Sequence, residues 1–220
     1  QIAKESGVSN FSNYLLFNFH DTPKDLYRRI CINIEINEQW RKEDGKDFSG
    51  GIYSYPMRYA PINEREALKA NRCRDYVAPE PDGQRDMLEE AVWNRRFIRN
   101  VAVMTGATHG AISPTPSLAR RAVGRNYKEF IANLYMPETL LRNRNKHEEY
   151  VYPHEPDREP GTGKVEEFRE FLLRRIVSPD EEFMAFHGAV GKNRRAAIRD
   201  YAQKCQDPEI TPWLEYYLER

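Results

Sequence analysis

Residues 13–62 constrain the fold most, because they have the pattern of a strand, a helix and a second strand. The run 14–19 is too short for a helix and is apolar on both alternations apart from Asn18. It therefore predicts a strand that is buried on both faces. Residues 52–59 predict the second strand. Since Pro56 has no N–H to donate, it indicates an edge strand, a bulge or a frayed strand end.

The segment between the two strands predicts an amphipathic helix. Asp21 is a residue type that caps helices, and Pro23 suits the first helical position, where a missing N–H costs nothing. Apolar residues then recur at helical spacing at Leu26, Ile30 and Ile34. Strand, helix and strand in this order predict an α/β fold, in which ligands bind at the carboxyl ends of the strands.

The rest of the chain has mainly helical patterns. We predict helices at 86–105, 117–122, 126–134 and from Pro137, and further helices between 165 and 220. Residues 143–164 are charged and then rich in proline and glycine, which is typical of a linker. These patterns divide the chain into segments 1–62, 63–142, 143–164 and 165–220. Two strands cannot form a stable sheet alone, so either further strands escape the pattern or partner strands are missing.

Charge and cysteine content exclude several classes of protein. Lys+Arg and Asp+Glu number 34 each, so no net charge directs the chain toward nucleic acid or an anionic membrane. No apolar run approaches the roughly 20 residues that span a bilayer. Three widely spaced cysteines argue against a disulfide framework, and we expect a reduced, cytoplasmic protein. The start at Gln1, without Met, leads us to expect a fragment or a processed product.

Two short segments are candidate ligand sites. Residues 18–23 join a strand to a helix start, where free N–H groups suit an anionic ligand group, although an ordinary capped turn is the commoner explanation. Residues 56–61 place a methionine, an arginine and a tyrosine between two prolines. Such side chains can hold an adenine-like ring or a carboxylate, and pairing of Arg58 with a surface carboxylate is an equally good explanation.

Arginines and metal-ligand residues give weaker signals. Residues 93–99, with Arg120, Arg121 and Arg125, interleave basic and aromatic side chains as nucleic-acid-binding surfaces do, but nearby acidic residues favour a salt-bridged surface. The five histidines lie far apart, so we predict no zinc site. Cys31 is predicted to belong to the core, and Cys73 and Cys205 to be plain thiols.

The segment SNYLLFNFHDTPKDLYRRICINIEINE, followed by IYSYPMRYAPI, resembles the C-terminal half of the partial TIM barrel in radical S-adenosylmethionine proteins. In that family a late strand leads into a capped helix, and the next strand ends near the nucleoside. The helix at 93–99 and the segment GRNYKEFIANLYMPE are similar to a helical tail that follows the barrel. The resemblance implies a (β/α) partial-barrel segment at 1–62, followed by a mainly helical C-terminal region.

The family's Cys-x-x-x-Cys-x-x-Cys motif is absent, and the three cysteines of this chain cannot replace it at their spacing. The resemblance therefore implies a chain without a cluster of its own. S-adenosylmethionine and a [4Fe–4S] cluster would belong to the parent protein. The expected partner is its missing N-terminal half or the parent chain, and the resemblance leaves open whether the substrate is a small molecule, a peptide or a nucleic acid. The cofactor-binding residues that it implies are Asn18, His20, Asp21, Met57, Arg58 and Tyr59.

Two alternatives remain open. One is a helical nucleic-acid- or protein-binding module without catalysis, which uses the arginines of helices 86–105 and 117–134. The other is a structural subunit that is held in an assembly by the aromatic residues Trp213, Tyr216 and Tyr217.

Overall fold

A computed structural model describes residues 2–18, 20–44, 50–59 and 87–219. These residues form a mainly helical α/β structure with one parallel two-stranded sheet. The strands are β1 (Asn10–Phe17) and β2 (Gly51–Arg58). The described helices are α1 (Ile2–Glu5), α2 (Pro23–Asp44), α3 (Arg95–Gly106), α4 (Pro116–Val123), α5 (Tyr127–Tyr135), α6 (Glu138–Arg142), α7 (Arg144–His147), α8 (Lys164–Ile176), α9 (Glu181–Gly191), α10 (Arg195–Ala202) and α11 (Thr211–Leu218).

Helix α2 connects β1 to β2 and covers one face of the sheet. Leu15 and Phe17 of β1 are buried on that side, whereas Tyr14 is 70% and Leu16 50% exposed. The prediction of a strand that is buried on both faces was therefore wrong for the described structure. The apolar side chains do alternate, but no described layer covers the face opposite α2, so half of them remain exposed.

The start of α2 is capped by Thr22 rather than by Asp21. The Thr22 hydroxyl accepts a hydrogen bond from the backbone N–H of Asp25 (3.3 Å), and the Asp25 carboxylate accepts one from the backbone N–H of Thr22 (2.9 Å). This reciprocal pair is a capping box, with Pro23 at the first helical position as predicted. The Thr22 backbone N–H lowers the pKa of the Asp25 carboxyl. The assignment of the cap to Asp21 was wrong, because Asp21 lies one position too early for this box.

Helices α3, α5, α8, α9 and α11 enclose a core that is rich in aromatic side chains. Its largest fully buried members include Phe97, Phe130, Tyr135, Phe168 and Phe183. The predicted helices at 117–122, at 126–134 and in the C-terminal region are confirmed as α4, α5 and α8–α11. Helix α3, however, begins only at Arg95, where the Asn94 side chain accepts from the Phe97 N–H (2.9 Å). Position 86, the predicted start, lies outside the described residues.

Residues 143–164, predicted as a linker, pack against the helices. Glu148 is fully buried, and its carboxylate accepts hydrogen bonds from the Tyr152 hydroxyl (3.1 Å) and from Arg169 of α8 (3.4 Å). The backbone N–H of Gly161 donates to the Glu148 carbonyl (3.0 Å), which closes a compact loop. This segment therefore has a polar anchor inside the helical region.

None of the helices in the described part of the chain is both long enough and apolar enough to cross a lipid bilayer.

Candidate functional site

The candidate site lies where the two parallel strands end. The register places Leu16 beside Met57 and Phe17 beside Arg58. The backbone N–H of Tyr59 then donates to the Phe17 carbonyl at 2.9 Å. The two predicted groups of site residues, one after each strand, are therefore neighbours at the carboxyl-terminal end of the sheet.

Asn18 redirects the chain as it leaves β1. Its φ of 61° lies in the left-handed region, and its side chain is only 5% exposed. Asparagine tolerates this conformation better than most residues with a side chain, because its short amide fits close to the backbone. Asn18 thus has a conformational role, whereas His20, two positions later, is exposed.

Asp21 is bound by protein groups from two directions. Arg29 of α2 forms an ion pair with one carboxylate oxygen, and the indole N–H of Trp93 donates to the other at 3.3 Å. The Trp93 ring also packs on Phe17, with 5.1 Å between ring centroids. Asp21 therefore joins β1, α2 and the segment before α3. The sequence gives no local signal for Trp93 here, because 72 positions separate it from Asp21.

Three different functional groups follow the last buried residues of β2. They belong to Met57, Arg58 and Tyr59. The Met57 side chain is 44% exposed, Arg58 is exposed and Tyr59 is half-buried. A thioether, a guanidinium and an aromatic ring can contact a purine ring and a carboxylate. Met57 shares its face of the sheet with Tyr14 and Tyr55, whose ring centroids lie 5.9 Å apart.

The outer edge of β2 is closed by side-chain and backbone contacts. The Asn37 amide binds both backbone groups of Ile52, accepting from its N–H (2.8 Å) and donating to its carbonyl (3.1 Å). Ser54 forms an antiparallel bridge with Ile112, and the next outward-facing residue, Pro56, has no N–H. Of the three explanations for Pro56, which were an edge strand, a bulge and a frayed strand end, the described sheet shows the edge strand.

The outer edge of β1 is open in its centre. The Ser9 and Phe17 carbonyls accept from the backbone N–H groups of Gly51 and Tyr59. Alternate residues of β1 therefore direct their backbone groups toward β2, and those of Ser12 and Tyr14 face away from it. In the described part of the chain no strand pairs with that edge. Among the residues that the structure describes, the sheet thus has one closed edge, one open edge and one exposed face.

Most arginines of the predicted basic surface bind carboxylates. Arg99 donates two hydrogen bonds to Glu138, both at 2.9 Å. Arg120 donates two hydrogen bonds to a single carboxylate oxygen of Glu38, at 3.0 and 2.8 Å. Further pairs are Arg121 with Glu155 and Arg125 with Glu129. Such pairing favours the salt-bridged surface over a surface that is free to bind phosphates.

The described residues do not fit an iron–sulfur cluster. Cys31 lies half-buried on α2, where burial raises the pKa of its thiol, and Cys205 follows α10. Cys73 lies outside the described residues. Within the described ranges, no group of three or more His, Cys, Asp or Glu side chains could hold a metal ion. A cluster of this kind needs several thiolates together, which this donor set does not offer.

Comparison of the chain with protein-family models, with curated proteins and with solved structures gives no match.

Proposed function

We propose that this chain forms one wall of a partial barrel of the radical S-adenosylmethionine type and contributes nucleoside- or substrate-side contacts at its rim. The cluster-binding half would come from the parent protein. The observation that carries the proposal is the arrangement of β1 and β2. In the described part of the chain this sheet has a helix on one face, exposed apolar side chains on the opposite face and an edge of β1 with which no strand pairs.

The exposed face supports a larger sheet. Parallel sheets occur almost only where both faces are covered, because their strands carry apolar side chains on both sides. Here Tyr14, Leu16 and Met57 remain 44–70% exposed on the face opposite α2. In a barrel, that face points to the interior, and further strands would cover it.

The two strand edges support an order for the missing strands. Asn37, Ile112 and Pro56 leave no room for a partner strand beside β2. No strand of the described residues pairs with the backbone groups of Ser12 and Tyr14 beside β1. We therefore infer that the other strands add next to β1 and that β2 ends an open barrel.

The residues at the carboxyl ends of β1 and β2 would form the rim of the barrel. Their side chains suit S-adenosylmethionine, the molecule that enzymes of this type cleave reductively. Met57 and Tyr59 would contact the adenine ring, and Arg58 would bind a carboxylate. Asn18 and Asp21 would shape the neighbouring wall, and exposed His20 would lie beside the ligand. Because the described cysteines do not fit a cluster, we assign no step of the reaction to this chain.

The test uses the polypeptide that the native gene encodes, purified without oxygen. We expect iron, labile sulfide and reductive cleavage of S-adenosylmethionine. The variants Met57→Ala and Arg58→Gln should weaken S-adenosylmethionine binding about tenfold, which corresponds to about 1.4 kcal/mol, without loss of iron. Arg28→Gln, at an exposed position of α2, is the matched control.

Two results would contradict the proposal. If the native polypeptide contains no iron and does not cleave S-adenosylmethionine, the proposal that it is a radical enzyme is wrong. If Met57→Ala and Arg58→Gln both bind S-adenosylmethionine as tightly as the wild type, the contacts assigned to these residues are wrong, even if the protein cleaves the cofactor.

A further inference from the structure

A cavity of about 450 Å³ lies between α3, α6, α10 and α11. None of its described lining residues belongs to the candidate site at the ends of β1 and β2. The lining of this cavity in the described structure contains three guanidinium groups, which belong to Arg96, Arg142 and Arg195. The amides of Asn143 and Asn193 also line it. All of these groups can donate hydrogen bonds, and the guanidiniums are permanently charged.

Arg96 is the decisive member of this group. It is only 4% exposed, and its guanidinium carbon lies 5.0 Å from the centre of the Tyr217 ring. Its Nε is buried without a hydrogen-bond partner, and no carboxylate of the described residues forms an ion pair with it. Tyr217 is held in place, since its hydroxyl donates to the Tyr135 carbonyl at 2.6 Å. Contact with a ring alone leaves a buried cation poorly compensated.

The carboxylates around the cavity do not remove this imbalance. Glu138 attracts the charge of Arg96, but both of its oxygens accept hydrogen bonds from Arg99 (2.9 Å each) and one also accepts from Arg142 (3.3 Å). Glu219 also lines the cavity, and its backbone carbonyl accepts from Arg195 at 2.8 Å, but its carboxylate forms no ion pair with Arg96 in the described structure. The Arg99 hydrogen bonds lower the pKa of the Glu138 carboxyl, so Glu138 is an ionised partner that is already shared.

We propose that this cavity binds the oxyanion of a small phosphorylated or carboxylated ligand, with Arg96 as the buried contact and Arg142 and Arg195 at the entrance. An oxyanion would supply the acceptors that Arg96 lacks, and guanidinium groups bind phosphate and carboxylate with two parallel hydrogen bonds. The volume lies in the range of small-molecule sites, about 300–1,000 Å³. This site does not depend on the radical enzyme proposed above.

Calorimetric titration of the full chain with inorganic phosphate and, separately, with succinate tests the proposal. Sodium chloride keeps the ionic strength constant, which separates binding from screening. Saturable binding of phosphate identifies a phosphate group as the ligand, and preferred binding of succinate identifies a carboxylate. Arg96→Met should weaken the preferred anion about tenfold or more, because it removes charge-assisted hydrogen bonds.

Arg174→Met is the matched control, since it removes an arginine from an exposed position of α8 outside this cavity. It should leave anion affinity unchanged. The anion should raise the melting temperature of the wild type and of Arg174→Met but not of Arg96→Met. Without the anion, Arg96→Met should melt at or above the wild-type temperature, because an uncompensated buried charge is gone.

If Arg96→Met fails to fold, Arg195→Met replaces it. Arg195 is exposed, and its loss should weaken anion binding about threefold at an unchanged circular dichroism spectrum. No saturable binding of either anion to the wild type overturns the proposal. Equal affinity in the wild type and in every folded cavity variant overturns it as well.

Discussion

The side chain of Asn37 replaces a neighbouring strand at Ile52. Its amide oxygen accepts from the Ile52 N–H at 2.8 Å, and its amide nitrogen donates to the Ile52 carbonyl at 3.1 Å. A helix residue thereby satisfies the backbone of an edge strand, which would otherwise offer a template for pairing with another chain. Asn37 is only 3% exposed, so water cannot take over these bonds without rearrangement.

We expect Asn37→Ala to lower the free energy of unfolding by about 2–4 kcal/mol, because two backbone groups lose their partners. Urea denaturation measures this change, and hydrogen exchange should show faster exchange at the Ile52 amide. Gln39→Ala, at an exposed position of the same helix, is the control. Equal stability of the two variants would show that the Asn37 amide does not hold the strand edge.

Gly124 and Gly106 form a matched pair for comparison, because only at Gly124 do the backbone conformation and the surrounding atoms require a glycine. Gly124 has a φ of 113°, and a Cβ there would lie 2.8 Å from the backbone nitrogen of Phe130. Gly106 ends α3 with no atom within 4 Å of an added Cβ. Gly124→Ala should therefore destabilise the protein by more than about 2 kcal/mol, while Gly106→Ala should stabilise it by about 0.5 kcal/mol. Thermal unfolding of both variants would contradict this interpretation if the two shifts had the same sign.

Local patterns were sufficient to predict the strand–helix–strand unit. Pro23 at a helix start and apolar residues at helical spacing act within a few positions, so sequence alone reveals α2. The position of the candidate site residues could be predicted from the same unit, because the carboxyl ends of parallel strands lie at the same end of the sheet. The radical S-adenosylmethionine assignment of this site stays a proposal.

Long-range contacts could not be predicted in this way. Trp93 reaches Asp21 across 72 positions, and Arg169 reaches Glu148 across 21. The composition of residues 143–164 indicates a linker, yet Glu148 anchors them inside the helical region. Similarly, the apolar character of Tyr14 and Leu16 predicts burial but does not specify what covers them. Such features depend on tertiary packing, for which no local pattern exists.

His187 should make stability depend on pH. Its Nδ1 lies 2.7 Å from the Tyr135 hydroxyl, and burial lowers the pKa of the imidazole from 6.5 to about 4. The unfolded chain then takes up a proton at a higher pH than the folded chain. Stability from this group is complete above pH 6.5 and is lost as the pH falls toward 4. Between pH 6.5 and 5 the loss should be about 1.5 kcal/mol.

The variant His187→Gln tests this prediction, because glutamine keeps a polar partner for Tyr135 and does not titrate. Urea denaturation at several pH values should give a smaller loss of stability between pH 6.5 and 5 than in the wild type. Parallel curves for both proteins would assign the pH dependence to other groups.

Asn18 allows its conformational role to be separated from a role in ligand binding. Asn18→Gly should keep the fold with little change, because glycine adopts a φ of 61° without strain. Asn18→Val should lower the free energy of unfolding by about 1–2 kcal/mol, since a branched side chain is strained there. If the amide also contacts S-adenosylmethionine, Asn18→Gly will lose affinity at unchanged stability. If the residue only redirects the chain, Asn18→Gly will bind as the wild type does. Equal stability of the glycine and valine variants would contradict the left-handed conformation itself.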